Sequence, residues 1–362
     1  MHNKKYPAYT LVLTIIILAL ALLSACSKTY SNSSPDASSA GRVKIITVNF
    51  PPADFSRIVG KDLVEVRQLL LPGVESHVFE PTPQDIIAIK EADLFIYGGG
   101  SSDNWVRNLL EDSEISSENT LIMMDYVTTV IEETTEGMQE DHDHTGDAAD
   151  DHNHTGDDAD DSHVHDDSVG HGDDNDGNNH TGDHHVLELD EHIWTDPENA
   201  IKISAAIQNK LIELDTDNAE EYRTNYNAFA KELHELDNEW HKGIASSKRN
   251  TLIFADRFPF RYLTDAYELE YYAAFPGCAA ETEPNPATIV FLINKVKDEA
   301  IPYIFTIEMS NQALAGTVAE ATGAEILQLH SLHNLTVEEA NENTSYLDLM
   351  YKNLENVLKA LN

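Results

Sequence analysis

Short apolar runs alternate with amphipathic segments along most of the chain. In the first half, strand-like runs cover residues 43–50, 64–72, 93–100 and 121–127, with helical patterns between them, and the same alternation resumes after residue 250. Apolar runs of about four to eight residues separated by amphipathic helices are typical of parallel sheets covered by helices. The pattern therefore predicts an α/β protein.

One long amphipathic pattern separates the two halves. Between residues 218 and 244, aromatic and leucine side chains recur close to the helical repeat. A chain of 362 residues also exceeds the length that one hydrophobic core usually serves. The sequence therefore predicts two α/β lobes joined by one long helix. The apolar face of that helix consists of Tyr222, Tyr226, Phe229, Leu233, Leu236 and Trp240.

The N-terminus has the pattern of an export signal. Lys4 and Lys5 precede an apolar run of 13 residues at 11–23, whereas about 20 are needed to span a bilayer. The residues up to Cys26 resemble the bacterial lipobox. Residues 1–25 are then a lipoprotein signal peptide, Cys26 is lipidated, and residues 26–41 form a flexible tether. An uncleaved anchor helix is the alternative.

Charge and cysteine content exclude two classes of protein. With 64 acidic and 23 basic side chains, the chain has a formal net charge of −41, which argues against nucleic-acid binding because phosphate contacts need Lys and Arg. Two cysteines are too few for a disulfide framework or an array of zinc fingers.

Residues 138–185 stand outside the α/β pattern. They contain 10 of the 17 histidines and 16 acidic residues, and the motifs at 141–147 and 151–157 repeat one another. This segment has too few apolar side chains for their burial to offset the chain entropy lost on folding. We therefore expect a disordered insertion. A merely solvating acidic loop is the alternative. Because imidazole is the commonest protein ligand for zinc, the composition favours metal handling.

Three histidines outside the insertion lie near the ends of predicted elements. His77 and His330 follow strands, and His192 precedes a helix that begins near Pro197. In open α/β sheets, ligands bind at the carboxyl ends of the strands. His234 and His241 instead lie among acidic residues on the long helix, where an exposed face explains them.

Several segments of the chain resemble the metal-specific solute-binding lipoproteins of bacterial ABC transporters, which take up zinc and manganese. The resemblance covers nearly the whole mature chain and is carried by the motifs at residues 72–86, 190–200 and 304–329. It implies two Rossmann-like lobes with parallel sheets, joined by a rigid helix, with a metal in the cleft between them. The corresponding boundaries are 42–218 for the N-terminal lobe, 219–247 for the helix and 248–362 for the C-terminal lobe.

The resemblance also implies the metal ligands. His77 and His192 match the two histidines of the N-terminal lobe, and His330 stands where the family usually has an aspartate. The family's remaining ligand position is occupied by Arg257, and a guanidinium cannot bind a cation.

Cys278 is a candidate for the fourth ligand, because a thiolate at the edge of a sheet binds zinc well. A buried apolar role is the alternative for Cys278. Glu281 could bind the metal instead, or could pair with Arg257. Histidine and thiolate ligands favour Zn²⁺ over Mn²⁺.

The sequence thus predicts an extracytoplasmic, lipid-anchored monomer that captures Zn²⁺ and delivers it to a cognate ABC permease, without enzymatic activity. A manganese receptor of the same family is one alternative. An exported zinc hydrolase is another, although the chain has no H-E-x-x-H motif. A cell-surface adhesin or metal buffer would need the insertion but no specific cleft.

Overall fold

Two four-stranded parallel sheets form the framework of the protein. The computed structural model describes residues 41–75, 79–112, 117–138, 188–277 and 286–362. The strands are β1 (Val43–Thr47), β2 (Val64–Gln68), β3 (Leu94–Tyr97), β4 (Thr120–Ile122), β5 (Thr251–Phe258), β6 (Glu270–Pro276), β7 (Tyr303–Thr306) and β8 (Glu325–Gln328). Their order is β2-β1-β3-β4 in the first sheet and β6-β5-β7-β8 in the second.

Helices follow most of the strands, because parallel strands need crossover connections. They are α1 (Phe50–Gly60), α2 (Pro83–Lys90), α3 (Asn104–Asp112), α4 (Pro197–Leu214), α5 (Ala219–Ala245), α6 (Arg261–Ala266), α7 (Pro286–Asp298), α8 (Ala313–Thr322), α9 (Val337–Glu342) and α10 (Tyr346–Leu361).

The two predicted α/β lobes are confirmed. All four residues of β3 are buried, and so are seven of the eight residues of β5. Strands that are buried on both faces are continuous apolar segments in the sequence, which is why they could be predicted from it. All four strands of the first half are shorter than the predicted runs. The last of them, β4, ends at Ile122, and a 3₁₀ helix, Met123–Tyr126, follows it.

The long helix between the lobes is confirmed as α5, with 27 residues. Its apolar face packs on α1, α4 and α10. At its C-terminal end, the ring of Trp240 is fully buried and stacks on Tyr267, with 5.1 Å between the ring centroids. The helix is thus fixed along its length by elements of both halves of the chain.

The segments that flank the His-rich insertion are joined by a short antiparallel pairing. Ile131 and Leu189 form a bridge, and the backbone N–H of Asp190 donates to the carbonyl of Val130 at 2.9 Å. Met138, the first residue of the predicted insertion, is buried in the main core. The rest of the predicted insertion, residues 139–185, lies outside the described residues.

The predicted signal peptide, the tether and Cys26 also lie outside the described residues, which begin at residue 41. Within the described ranges, no helix is both long and apolar enough to cross a membrane.

Candidate metal site

A small cavity lies where the carboxyl ends of the two sheets meet, and we call it the cleft cavity. Its volume is about 30 Å³, and a cavity of about 10–15 Å³ already holds one water. The space therefore suits a single ion with little room to spare. The N-terminal half contributes Val74, Glu75 and His192, and the C-terminal half contributes Arg257, Pro259, Gly277, Ile307, Glu308, Met309, Ser331, His333 and Asn334.

Three potential metal ligands lie together here, and two of them, His192 and His333, line the cleft cavity. One ligand atom from each of Glu191, His192 and His333 lies within 4.8 Å of the other two. Glu191 and His192 are buried, and His333 is half-buried. Because His192 belongs to the first half of the chain and His333 to the second, the group spans the two lobes.

The His192 ring is oriented by Asp190. Its Nδ1 lies 3.1 Å from Asp190 Oδ1, which also accepts the backbone N–H of His192 at 2.8 Å. A proton on Nδ1 satisfies this contact and leaves the lone pair on Nε2 for a metal, as is usual for ligating histidines. Burial by itself would lower the pKa of His192, but the carboxylates of Asp190, Glu191 and Glu132 outweigh it and raise the pKa.

Gly277 packs against Cε1 of the His192 ring. A Cβ atom at this position would lie 3.1 Å from His192 Cε1 and 2.8 Å from the carbonyl oxygen of Phe258. Only glycine therefore fits between β5 and the imidazole.

His333 lies edge-on to two aromatic rings of the N-terminal half. Its centroid is 5.6 Å from that of His192 and 5.0 Å from that of Trp194. The Trp194 indole N–H donates to the carbonyl of Ser331 at 2.8 Å, and the Ser331 backbone N–H donates to Glu308 at 2.7 Å. These contacts hold the loop that carries His333 against the cleft cavity.

His330 is buried, but its two ring nitrogens are engaged elsewhere. Nδ1 accepts the backbone N–H of Leu332 at 2.9 Å, and Nε2 lies 3.2 Å from Glu339 Oε2. Leu332 has a left-handed backbone with φ of 62°, which turns the chain between His330 and His333. His330 is not part of the converging group, so metal binding by His330 stays a prediction that this placement does not favour.

Arg257 lies at the cleft cavity and contacts the opposite lobe. One of its Nη atoms donates to Glu75 Oε1 at 3.2 Å. Nearby, the side chain of Asn334 donates to the carbonyls of Leu71 and Val74 at 2.6 and 2.9 Å. The described residues thus connect the lobes across the cleft even without a metal.

Three predicted site residues cannot be placed. His77, Cys278 and Glu281 lie outside the described residues. Glu75 and Gly277, which flank two of these undescribed segments, both line the cleft cavity.

Sequence reasoning did not assign His333, Glu191 or Asp190 to the site. A signal existed for Asp190, because an acidic residue two positions before a candidate ligand can reach its Nδ1. No comparable signal separates His333 from His330, since both follow β8 in the same loop.

Comparisons with known proteins agree with this architecture. Residues 45–360 match the family described as zinc-uptake complex component A, periplasmic (ZnuA). The zinc-binding lipoprotein AdcA of Streptococcus pneumoniae is 27% identical over 339 residues, which cover 93% of this chain and 60% of that protein. The high-affinity zinc uptake system protein ZnuA of Bacillus subtilis is 26% identical over 343 residues, which cover 95% of each chain.

The fold also matches a solved structure. The crystal structure of the Zn(II)-bound ZnuA-like domain of Streptococcus pneumoniae AdcA superposes with a TM-score of 0.65 at 24% identity, covering 89% of this chain and 99% of that chain. This likeness shows the fold. The chain spans about 60% of the length of the AdcA proteins that it matches.

Proposed function

Since the chain belongs to the periplasmic zinc-uptake component A family, we propose that it is a receptor that captures Zn²⁺ outside the cytoplasm and delivers it to an ABC permease. The observation that carries this proposal is the group of Glu191, His192 and His333 at the cleft cavity. The names of the relatives, which bind or take up zinc, support the choice of metal.

We assign His192 and His333 as the ligands that join the lobes, with His77 as a further imidazole and a Glu191 oxygen as the fourth ligand. Glu191 also accepts hydrogen bonds from Ser102, but a carboxylate has about four lone-pair sites and can do both. Tetrahedral zinc with bonds of about 2.0–2.2 Å brings its ligand atoms to about 3.3 Å from one another. The ligand atoms of the group lie within 4.8 Å of one another, which is compatible with this spacing.

Ligands from both lobes supply the signal for delivery. Because His192 and His333 belong to different lobes, zinc binds an arrangement with the lobes together more tightly than one with the lobes apart and shifts the population toward it. A permease that recognises the arrangement with the lobes together then receives only loaded receptors. The imidazole-rich set favours zinc over manganese, which prefers oxygen ligands.

Two further parts of the proposal concern segments outside the described residues. Lipidation of Cys26 would hold the receptor at the membrane surface. The His-rich insertion would add several weak zinc sites that are separate from the cleft. Neither part involves chemistry on a substrate, so the proposed receptor is a binding protein rather than an enzyme.

Metal content tests the proposal directly. We expect the purified mature protein, loaded with equal Zn²⁺ and Mn²⁺ and dialysed against metal-free buffer, to retain about one zinc and little manganese. The His192→Ala variant should retain none in the cleft, whereas the His234→Ala control, changed on an exposed part of α5, should match the wild type. Retention of manganese instead of zinc, or equal retention by His192→Ala, would refute the assignment.

A further inference from the structure

A segment from the first half of the chain lies on the C-terminal lobe. It consists of residues 127–138, which come after β4 along the chain, and we call it the strap. The hydroxyl of Tyr271 on β6 donates to Glu133 Oε2 at 3.0 Å, and the hydroxyl of Thr288 on α7 donates to the carbonyl of Gly137 at 2.8 Å. The strap thus connects the N-terminal sheet to the surface of the opposite lobe.

Tyr262 on α6 holds the strap at the point where it passes the candidate metal site. The side chain is buried, and its hydroxyl donates to the carbonyl of Asp190 at 2.8 Å and accepts the backbone N–H of Val130 at 3.2 Å. Asp190 and Val130 are also paired with one another, since the N–H of Asp190 donates to the carbonyl of Val130 at 2.9 Å. One phenol therefore fixes both segments of the short antiparallel pairing.

The backbone of Asp190 in turn sets the orientation of the His192 ring. Asp190 Oδ1 accepts the backbone N–H of His192 at 2.8 Å and lies 3.1 Å from its Nδ1. Because Asp190 is only 1% exposed, bulk water does not readily replace a lost partner of its carbonyl. Without the Tyr262 hydroxyl, the Asp190 backbone is expected to shift to find another partner, and the carboxylate that holds the His192 ring shifts with it.

We infer that Tyr262 is a positioning residue for the zinc site, which acts on His192 through Asp190. The inference rests on the proposed function. His192 comes from the first half of the chain, whereas Tyr262 and Gly277, which packs against Cε1 of the ring, come from the second. The orientation of this ligand is thus set by groups of the opposite lobe.

Tyr267 provides a matched comparison, because a buried tyrosine can also serve the core alone. It directly follows α6 and is 4% exposed, against 5% for Tyr262. Its hydroxyl donates to Asp237 Oδ1 on α5 at 3.0 Å. Loss of either hydroxyl removes a hydrogen bond from a buried phenol, but of the two it is Tyr262 that bonds to the backbone beside His192.

Zinc affinities of the variants Tyr262→Phe and Tyr267→Phe, measured in the mature protein by competition with a chromogenic chelator, test this inference. Each change removes one hydroxyl and keeps the ring, and thermal unfolding measures the stability that each variant loses. We expect Tyr262→Phe to weaken tight zinc binding about 3–10-fold, since the supporting contacts of a ligating histidine typically contribute 10-fold or more and Tyr262 is one contact further out. Tyr267→Phe should stay within ~2-fold of the wild type, because its hydrogen bond is to α5.

Hydrogen exchange in the metal-free protein adds a readout that a general loss of stability would not change. The His192 amide is protected by its bond to Asp190 Oδ1, so a freer Asp190 increases its local opening. Exchange of this amide, followed by NMR and compared with the amides of β1, should become at least ~3-fold faster in Tyr262→Phe. It should not change relative to β1 in Tyr267→Phe.

Three results would overturn the inference: an unchanged zinc affinity of Tyr262→Phe, equal weakening by the two variants, or unchanged exchange at His192. A wild-type protein that holds no tight zinc would instead refute the proposed function. The exchange measurement needs no metal, so it would still decide whether Tyr262 positions His192.

Discussion

At the scale of single residues, the proposed metal site depends on the position of the His192 imidazole. Asp190 fixes the ring through Nδ1, and Gly277 packs against the ring at Cε1. Displacements of about 1 Å are large for a metal site, because ligand distances must be correct to about 0.2 Å. The contacts that position His192 therefore matter as much as its identity.

The change Gly277→Ala should weaken zinc binding at least ~10-fold, as the loss of a supporting contact around a metal ligand typically does. The new methyl group would meet the backbone oxygen of Phe258 at 2.8 Å and the imidazole at 3.1 Å, so relief of these contacts would displace the chain at Gly277 and the imidazole relative to one another. Competition with a chromogenic chelator measures the affinity. Gly316→Ala is the matched control, because nothing lies within 4 Å of a Cβ at that position. Equal effects of the two changes would contradict the role of Gly277.

The raised pKa of His192 predicts how the stability of the metal-free protein depends on pH. A histidine whose pKa is higher in the folded state than its ordinary value of 6.5 contributes stability that is complete below pH 6.5. This contribution is lost as the pH rises through the pKa of the folded state. His192→Gln should therefore lower the Tm of the metal-free protein more at pH 6 than at pH 8.5. Thermal unfolding at the two pH values measures the difference, and an equal or reversed loss would contradict the pairing with Asp190.

The distinction between His330 and His333 shows where residue-level prediction from sequence ends. Both histidines follow β8, and either could face the cleft. The left-handed backbone at Leu332 and the bond from its N–H to His330 Nδ1 turn His330 away from the group at the cavity. Such a turn depends on tertiary contacts with Glu339 and Glu308. Neither residue belongs to the short sequence motif around the two histidines, so the motif does not reveal these contacts.

At the scale of secondary-structure elements, α5 owes its stability to the tertiary packing of one face. Leu233, Leu236 and Trp240 are fully buried, while the opposite face carries charged residues. Its apolar spacing was sufficient to predict it, because burial on one face imposes the helical repeat. The end of β4 was not predictable in the same way. Met123 and Met124 are buried in a 3₁₀ helix, and an apolar run without alternation does not distinguish such a helix from a buried strand.

Trp240→Ala should lower the free energy of unfolding by about 3–5 kcal/mol, the usual cost of truncating a large buried aromatic side chain. The change removes the stacking on Tyr267 and leaves a cavity between α5 and the C-terminal lobe. Urea unfolding followed by circular dichroism measures the loss. Lys231→Ala on the exposed face removes only a surface ion pair with Glu235 and should cost less than ~1 kcal/mol. A loss below ~1 kcal/mol for Trp240→Ala would show that α5 is not held at this end.

At the scale of the whole molecule, the two lobes already contact one another at the cleft. Asn334, Arg257 and Trp194 each make a hydrogen bond to the opposite half of the chain. Zinc bound as proposed would thus add to an existing interface rather than join two independent bodies. The sequence predicted the lobes from their strands, but these cross-lobe contacts come from loops, where no periodic pattern exists to reveal them.

Removal of residues 139–185 should leave the fold and one tight zinc site intact. The flanking segments are paired through Ile131 and Leu189, so the shortened connection does not have to be rebuilt. We expect the deletion to lose several weakly bound zinc equivalents, which calorimetry with zinc distinguishes from the tight one. At pH 5 the weak set should also dissociate from the full-length protein, since unperturbed imidazoles titrate near about 6.5. Loss of the tight site on deletion would contradict the separation of insertion and cleft.

The zinc affinities of three single variants, measured in the protein without residues 139–185, test the central claim most directly. His192→Ala and His333→Ala remove one proposed ligand from each lobe, and each should weaken binding at least ~10-fold in a competition titration. His330→Ala removes a side chain whose ring nitrogens bond to Leu332 and Glu339, and it should change the affinity by less than ~3-fold after correction for stability. An affinity that falls with His330→Ala and not with His333→Ala would show that the cleft uses the other histidine and would contradict the account given above.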